Sequence, residues 1–286
     1  MAGAPVIFGI LNLTEDSFSD GGAYLDPQAA LAQARRLTEG GADVIDIGAA
    51  ASNVAAKPVG ANEEIRRLGP VIDALAAAGV AVSIDSFEPT TQRFALSRGV
   101  AFLNDIEGFA EPALYPELAA ASCRLVVMHA IHGRGRAQQQ DLPPAAVLRH
   151  IDEFFAARLE ALERAGIARD RLIIDPGMGF FLSSRAEASF AVLAGIAGLR
   201  RHFGLPVMVS VSRKSFLAGV TGRTVPAERG AATLAAELFA AAEGADYIRT
   251  HDPAALHDGL AIAAALRRAG LSPAVSGADY LLKANL

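Results

Sequence analysis

Cysteine is almost missing from this 286-residue chain, and Cys123 alone cannot close an internal disulfide; in the approach Ser122-Cys123-Arg124-Leu125 to an apolar run it reads as an inert thiol at the core edge. Positive charge is not in excess either. With 26 Lys and Arg against 31 Asp and Glu, the formal charge of -5 gives no global reason to meet nucleic acid or an anionic membrane, so any anion must be caught locally. No basic residue precedes the short apolar stretch Val6-Ile-Phe-Gly-Ile10, and polar chain resumes at Asn12. Neither a signal peptide nor a membrane span is expected, and the expected location is the cytoplasm. No CxxC or two-His-one-carboxylate spacing supports a metal cage made of protein alone. No linker or low-complexity segment divides residues 1–286, so one domain is expected.

What is present is apolar material, at 52% of residues, arranged with a period. Eight short runs rich in Val and Ile read as strands: Val6 to Leu11, Asp43 to Gly48, Ala81 to Asp85, Ala101 to Asp105, Leu125 to His129, Leu172 to Asp175, Pro206 to Val211 and Ala245 to Thr250. Helical stretches follow each, at about Pro27 to Glu39, Asn62 to Ala78, Pro89 to Arg98, Glu111 to Ala121, Pro143 to Ala165, Ala186 to Phe203, Pro226 to Ala242 and Pro253 to Arg268. Several open with Pro in the first turn, where its missing N–H costs nothing. Eight alternating pairs point to a closed (β/α)₈ barrel, the TIM barrel, rather than an open doubly wound sheet. The segment from His132 to Pro144, with its Gly, Arg and three Gln, reads as a mobile surface loop.

Most of these strands end in a polar residue: Asn12, Asp85, Asn104 with Asp105, His129, Asp175, Ser212, and Arg249 with His251. One such residue is ordinarily a turn or cap. Together they are expected to converge on the barrel face where active sites are built. Ser212-Arg213-Lys214-Ser215 puts cations at that mouth, with Lys214 suited to stabilising developing negative charge. Arg249-Thr250-His251 offers a planar fork and a ring donor suited to phosphate. Asp85, Asn104 and Asp175 are suited to reading the edge of a polar heterocycle. A divalent metal is the competing reading; Mg²⁺ held by substrate phosphates and one oxygen, such as that of Asn12, is the easier chemistry. Asp175-Pro-Gly-Met-Gly-Phe-Phe181 is a Gly-bearing turn whose Phe180 and Phe181 can wall a flat ligand.

In order along the chain, Phe8-Gly-Ile-Leu-Asn-Leu-Thr-Glu-Asp-Ser-Phe-Ser-Asp20, Gly41-Ala-Asp-Val-Ile-Asp-Ile-Gly48, Ser83-Ile-Asp85, Leu103-Asn-Asp105, Asp175-Pro-Gly, Ser212-Arg-Lys-Ser215 and Arg249-Thr-His251 resemble dihydropteroate synthase. The resemblance covers nearly the whole chain. It implies a pterin-binding TIM barrel that joins 6-hydroxymethyl-7,8-dihydropterin pyrophosphate to p-aminobenzoate, releasing pyrophosphate. It also implies that Asp85, Asn104, Asp175 and Lys214 bind the pterin, that Met128 packs on its ring, and that Asn12, Arg249 and His251 hold pyrophosphate with Mg²⁺. Ser212 and Phe180 would help form the p-aminobenzoate site. Barrels of this family usually pair through helices, so a homodimer is expected.

Two loops depart from the family pattern. Ala51-Ser52-Asn53-Val54-Ala55 stands where the family has Ser-Thr-Arg-Pro-Gly, leaving Ser52 as the one hydroxyl, and Phe181-Leu182 stands where it has Gly-Lys. These departures are similar to the sulfonamide-resistant Sul synthases. A bulky Phe181 at the pocket edge is expected to reject a sulfonamide, whose substituent reaches past the natural carboxylate, while sparing p-aminobenzoate. Two alternatives stand beside this reading: a pterin-dependent methyltransferase, disfavoured because it has no use for a pyrophosphate clamp, and a non-catalytic pterin-binding subunit, motivated by the lost loop Arg.

Overall fold

The computed structural model of the chain describes residues 4–14, 26–50, 59–133 and 139–269. Eight parallel strands carry the fold: β1 (Val6–Asn12), β2 (Val44–Gly48), β3 (Val82–Asp85), β4 (Phe102–Asp105), β5 (Arg124–Met128), β6 (Leu172–Asp175), β7 (Met208–Val209) and β8 (Tyr247–Thr250). They pair in the order β6-β5-β4-β3-β2-β1-β8-β7, and a bridge between Ile174 and Val207 joins the two ends, so the sheet closes on itself. The closing seam is thin: the regular ladder of β7 covers two residues inside the longer run that the apolar pattern predicts, and Pro206 at the start of that run, with no N–H to donate, contributes only its carbonyl oxygen, which accepts from the Ile174 N–H at 3.0 Å.

Helices α1 (Pro27–Glu39), α2 (Ala61–Ala77), α3 (Pro89–Ser97), α4 (Tyr115–Ala120), α5 (Pro144–Arg164), α6 (Ala186–Ala194), α7 (Ile196–Phe203), α8 (Ala218–Thr221), α9 (Gly230–Ala242) and α10 (Pro253–Arg268) ring the sheet. Asp26 and Asp252 cap α1 and α10, accepting from the N–H groups of Ala29 and Ala255 at 3.1 Å, with Pro in the first turn of each. Three predicted helices are subdivided. The run from Ala186 to Phe203 breaks at Gly195 into α6 and α7, and short 3₁₀ turns at Pro112–Leu114 and Pro226–Arg229 precede α4 and α9.

Two apolar clusters build the frame of the barrel. The larger lies between sheet and helices, from Leu11 and Ile45 through Phe155 and Leu162. The smaller fills the barrel's N-terminal end with Phe8, Val44, Val126, Ile173, Met208 and Tyr247, backed by Val6, Ala81 and Phe102. There the Phe8 ring meets Phe102 and Tyr247 edge-on at 4.9 and 5.7 Å between centroids. Side chains alternate along a strand, so the residues two and four places beyond this plug also face the barrel axis. Those positions include the polar Asn12, Asp46, Ser83, Asp85, Asn104, Asp175, Ser210, Ser212, Arg249 and His251, the glycines Gly48 and Gly177, and the apolar Ile10, Ile106, Met128 and Ala130. The interior therefore turns from apolar to polar along one continuous face.

Candidate active site

The polar layer begins with an ion-pair chain across the barrel. Arg249, from β8, donates through Nε to Asp46 Oδ2 on β2 and through Nη2 to Asp85 Oδ2 on β3 at 2.6 Å. Burial works against the Arg249 charge, but the two carboxylates outweigh it and hold its pKa above the ordinary value. Burial is also the largest influence on Asp85, pushing it up to about 6 against the pull of Arg249. Arg249, expected as an open phosphate fork, is thus partly committed: two nitrogens serve carboxylates, and Nη1 makes no bond to the described residues.

Above this chain the side chains leave space. A Cβ on Gly48 would sit 3.8 Å from both Asn12 Oδ1 and Asp85 Oδ2, so the two face a common cradle. Asn104, opposite Asp85 in register, is 3% exposed, and its Oδ1 has no hydrogen-bond partner among the described residues. A buried amide oxygen in that condition calls for a donor. Asp175 is equally buried, its Oδ1 accepts the Gly177 N–H at 2.8 Å, and burial raises its pKa against the nearby charge of Lys214.

Lys214 donates to Met178 O at 3.2 Å, and its Nζ stands 5.1 Å from the centroid of Phe181. Burial lowers the amine to about 8, opposed by Asp175 and Asp85. Phe181 also stacks on His132 at 5.9 Å, and it joins Met128, Ile106 and Ala130 in an apolar cluster against which Phe87 and Phe180 pack. That cluster lies beside Lys214 at the C-terminal end of the barrel. At 8% exposure Phe181 is a buried part of it, and Phe180 is the more open of the two.

Ser212, expected beside p-aminobenzoate, spends its hydroxyl on His251, meeting the backbone N–H at 3.2 Å and Nδ1 at 2.9 Å. Burial, reinforced by Arg213, Arg249 and Lys214, lowers the His251 pKa far enough to keep the ring neutral at pH 7. The turn before Lys214 is held open by residues the motifs did not single out. Arg213 adopts φ +60°, with its N–H on Thr233 Oγ1 at 3.0 Å and its carbonyl on Arg229 Nη1 at 2.6 Å.

Two predicted strand-end residues face the other way. Asp105 accepts from Gln92 on α3 at 2.8 Å, and the His129 ring pairs with His150 on α5 at 2.8 Å. Each lies one place beyond an axis-facing neighbour, so alternation excludes it from the pocket. Of the segment from His132 to Pro144, read as a mobile loop, residues 134–138 lie outside the described residues, and the described part from Gln140 on is hydrogen-bonded to the turn before α6. Gln140 O accepts from Ser184 N–H at 2.7 Å, and Leu142 bonds twice to the Ser183 hydroxyl. Ser52, the run Ser17 to Gly22, and Asn53 to Ala55 lie outside the described residues. The chain leading toward the last of these is anchored by Arg67 of α2, whose Nη1 reaches Leu13 O at 3.1 Å and Ala49 O at 3.3 Å.

Asp46 is the main site residue that the motif reading passed over. Its signal was a carboxylate inside the otherwise apolar Val44-Ile-Asp-Ile-Gly48, a placement that a half-buried surface strand does not require.

Residues 8–251 match the family model for pterin binding enzymes. The chain is 58% identical to dihydropteroate synthase type-2 of Escherichia coli, over 92% of this chain and 96% of that one. It is 52% identical to dihydropteroate synthase type-1 of Escherichia coli, over 92% and 94%. Among solved structures, the dihydropteroate synthase of Xanthomonas albilineans in complex with 7,8-dihydropteroate superposes with a TM-score of 0.79 at 36% identity, covering 92% of this chain and 94% of that one.

Proposed function

The chain belongs to the pterin-binding enzymes and, within them, to the dihydropteroate synthases, and on that premise we propose how the strand ends divide the work. The enzyme condenses 6-hydroxymethyl-7,8-dihydropterin pyrophosphate with p-aminobenzoate to give 7,8-dihydropteroate and pyrophosphate, which sets aside the methyltransferase and the non-catalytic subunit. The pterin lies on Asp85, Asn104, Asp175 and Lys214, with its ring against Met128. The observation that carries this is the unpartnered Oδ1 of Asn104, which the amino edge of a pterin would satisfy at the buried end of the pocket.

The reaction needs no protein nucleophile. Pyrophosphate departs with its electron pair, the pterin methylene becomes cationic, and the arylamine attacks that carbon and then loses a proton. Ionised Asp175 stabilises the cation, Lys214 and Asp85 hold the ring in line, and the rest is alignment. Asn12, the remaining nitrogen of Arg249, and His251 receive the leaving group. With the Ser212 hydroxyl donating to Nδ1, neutral His251 offers Nε2–H outward. Ser212 orients His251 through this contact, and from the same position it borders the p-aminobenzoate site with Ser52, Phe180 and Phe181. Among the described residues no group of three His, Cys, Asp or Glu side chains is arranged to hold a metal, so Mg²⁺ fits as an ion carried by the substrate phosphates with Asn12 as its one side-chain oxygen. When bound it would neutralise charge on the leaving group.

Phe181 narrows the p-aminobenzoate end, admitting the flat acid and obstructing a sulfonamide. Its support is the packed wall that it shares with Lys214, His132 and Met128. A homodimer in the cytoplasm completes the proposal. Ile262 and Leu266, one turn apart on α10 and 63% and 43% exposed, give that helix an apolar face for pairing. The deciding assay is pyrophosphate release on mixing the enzyme with both substrates and Mg²⁺, repeated with Asn104→Leu; unchanged pterin KM in that variant would refute the placement.

A further inference from the structure

His129 holds the turn after β6 at three points. Its N–H donates to Asp175 O at 2.8 Å, its Nδ1 lies 3.0 Å from Pro176 O, and its own carbonyl oxygen stands where a Cβ on Gly177 would fall. A carbonyl oxygen only accepts, so Nδ1 carries the proton. Burial above all, with the adjacent histidines, lowers this ring to about 3 and keeps it neutral. Its Nε2 is then an acceptor, and His150 Nδ1, 2.8 Å away on α5, must be the donor. The order of protons is thereby fixed from α5 to the turn. Beyond the turn the same path reaches the site, since Gly177 N–H donates to Asp175 Oδ1 and Ile131 N–H donates to Phe181 O at 2.9 Å.

We propose that His150, acting through His129, is a positioning residue for the substrate pocket: a two-ring relay that fixes residues 175–177 and with them the Asp175 carboxylate. The inference rests on the reading of Asp175 as a pterin ligand. An apolar residue at position 150 would still pack beside Phe154, which meets His129 at 5.3 Å, but it would leave the buried Nε2 without a donor.

The test compares His150→Leu, which removes the donor, with His150→Asn, whose amide nitrogen reaches the place of Nδ1, and runs Asp175→Asn beside them. His150→Leu should raise KM for the pterin pyrophosphate about fivefold, the worth of one net hydrogen bond, with KM for p-aminobenzoate within about twofold of the parent. His150→Asn should recover most of that loss, and ring ¹⁵N shifts of the parent should report His129 as the neutral Nδ1–H tautomer. The proposal is overturned by a parent-like KM in His150→Leu, by equal impairment of the Leu and Asn variants, or by an Nε2–H tautomer at His129. If Asp175→Asn keeps the parent's pterin KM, the reading of Asp175 fails instead, whatever position 150 does. Should His150→Leu not fold, the tautomer and a parent-like KM in His150→Asn decide the matter, and failure of either rejects it.

Discussion

Asp175, to which we assign stabilisation of the cation, is a carboxylate 2% exposed, oriented by the Gly177 N–H and electrostatically linked to Lys214. Replacing it with Asn keeps shape and removes charge. Asp175→Asn is expected to melt within a few degrees of the parent while kcat for pyrophosphate release falls by about 100-fold or more; retained turnover would end its role in stabilising the cation. Phe181→Gly is expected to lower the sulfonamide concentration for half inhibition at least about tenfold while p-aminobenzoate KM changes little. Because the ring is 8% exposed, the same change should cost stability, by about 3 kcal/mol or more in urea unfolding. Inhibition as weak as in the parent would dismiss the steric account. At this scale the motifs pointed to Asp85, Asn104 and Asp175 because short polar groups at the ends of apolar strands have few other reasons to be there. The list of polar strand ends alone took in Asp105 and His129 as well, because which neighbour faces the axis depends on strand parity, set by packing such as that of Phe8, Phe102 and Tyr247.

Among the elements, the turn after β6 is the most constrained. Gly177 has φ +75°, and a Cβ would meet the His129 carbonyl oxygen and lie 3.5 Å from Met128 Cε. Gly177→Ala should therefore cost about 2–4 kcal/mol, combining the left-handed penalty with the displaced β5 end, and turnover should fall with it. A loss under about 1 kcal/mol in urea unfolding would mean that the turn relaxes freely. Strand and helix positions were legible in the sequence because periodicity and prolines marked them, as at Pro27 and Pro253. Their ends were less so. The seam between β6 and β7 rests on a bridge between Ile174 and Val207, far apart in the chain, and Arg67, Thr233 and Arg229 act on loop backbones distant in sequence. Such side-chain-to-backbone ties leave no periodic trace.

The molecule as a whole carries buried carboxylates that make its stability depend on pH. Burial, opposed by a hydrogen bond with Thr250, pushes Glu237 on α9 up to about 8 from an ordinary 4.5, and burial pushes Asp105 up to about 7 from 3.8. The folded state thus keeps protons that the unfolded chain gives up. The Glu237 contribution is whole below about pH 4.5 and is lost as pH rises through about 8. Glu237→Gln should flatten that slope, so that its melting temperature gains at least about 3 °C on the parent between pH 5 and pH 8.5; parallel curves would show that Glu237 ionises without cost. Sedimentation at micromolar concentration should give a dimer, and Ile262→Glu should give a monomer; a monomeric parent removes that part of the proposal. The aromatic plug has a final consequence, one of traffic. With Phe8, Phe102 and Tyr247 closing one end of the barrel, everything enters and leaves by a single door. On the proposed placement, the reactant seated on Asn104 must then arrive before the one that waits beside Phe180, and the queue is imposed by architecture before any chemistry begins.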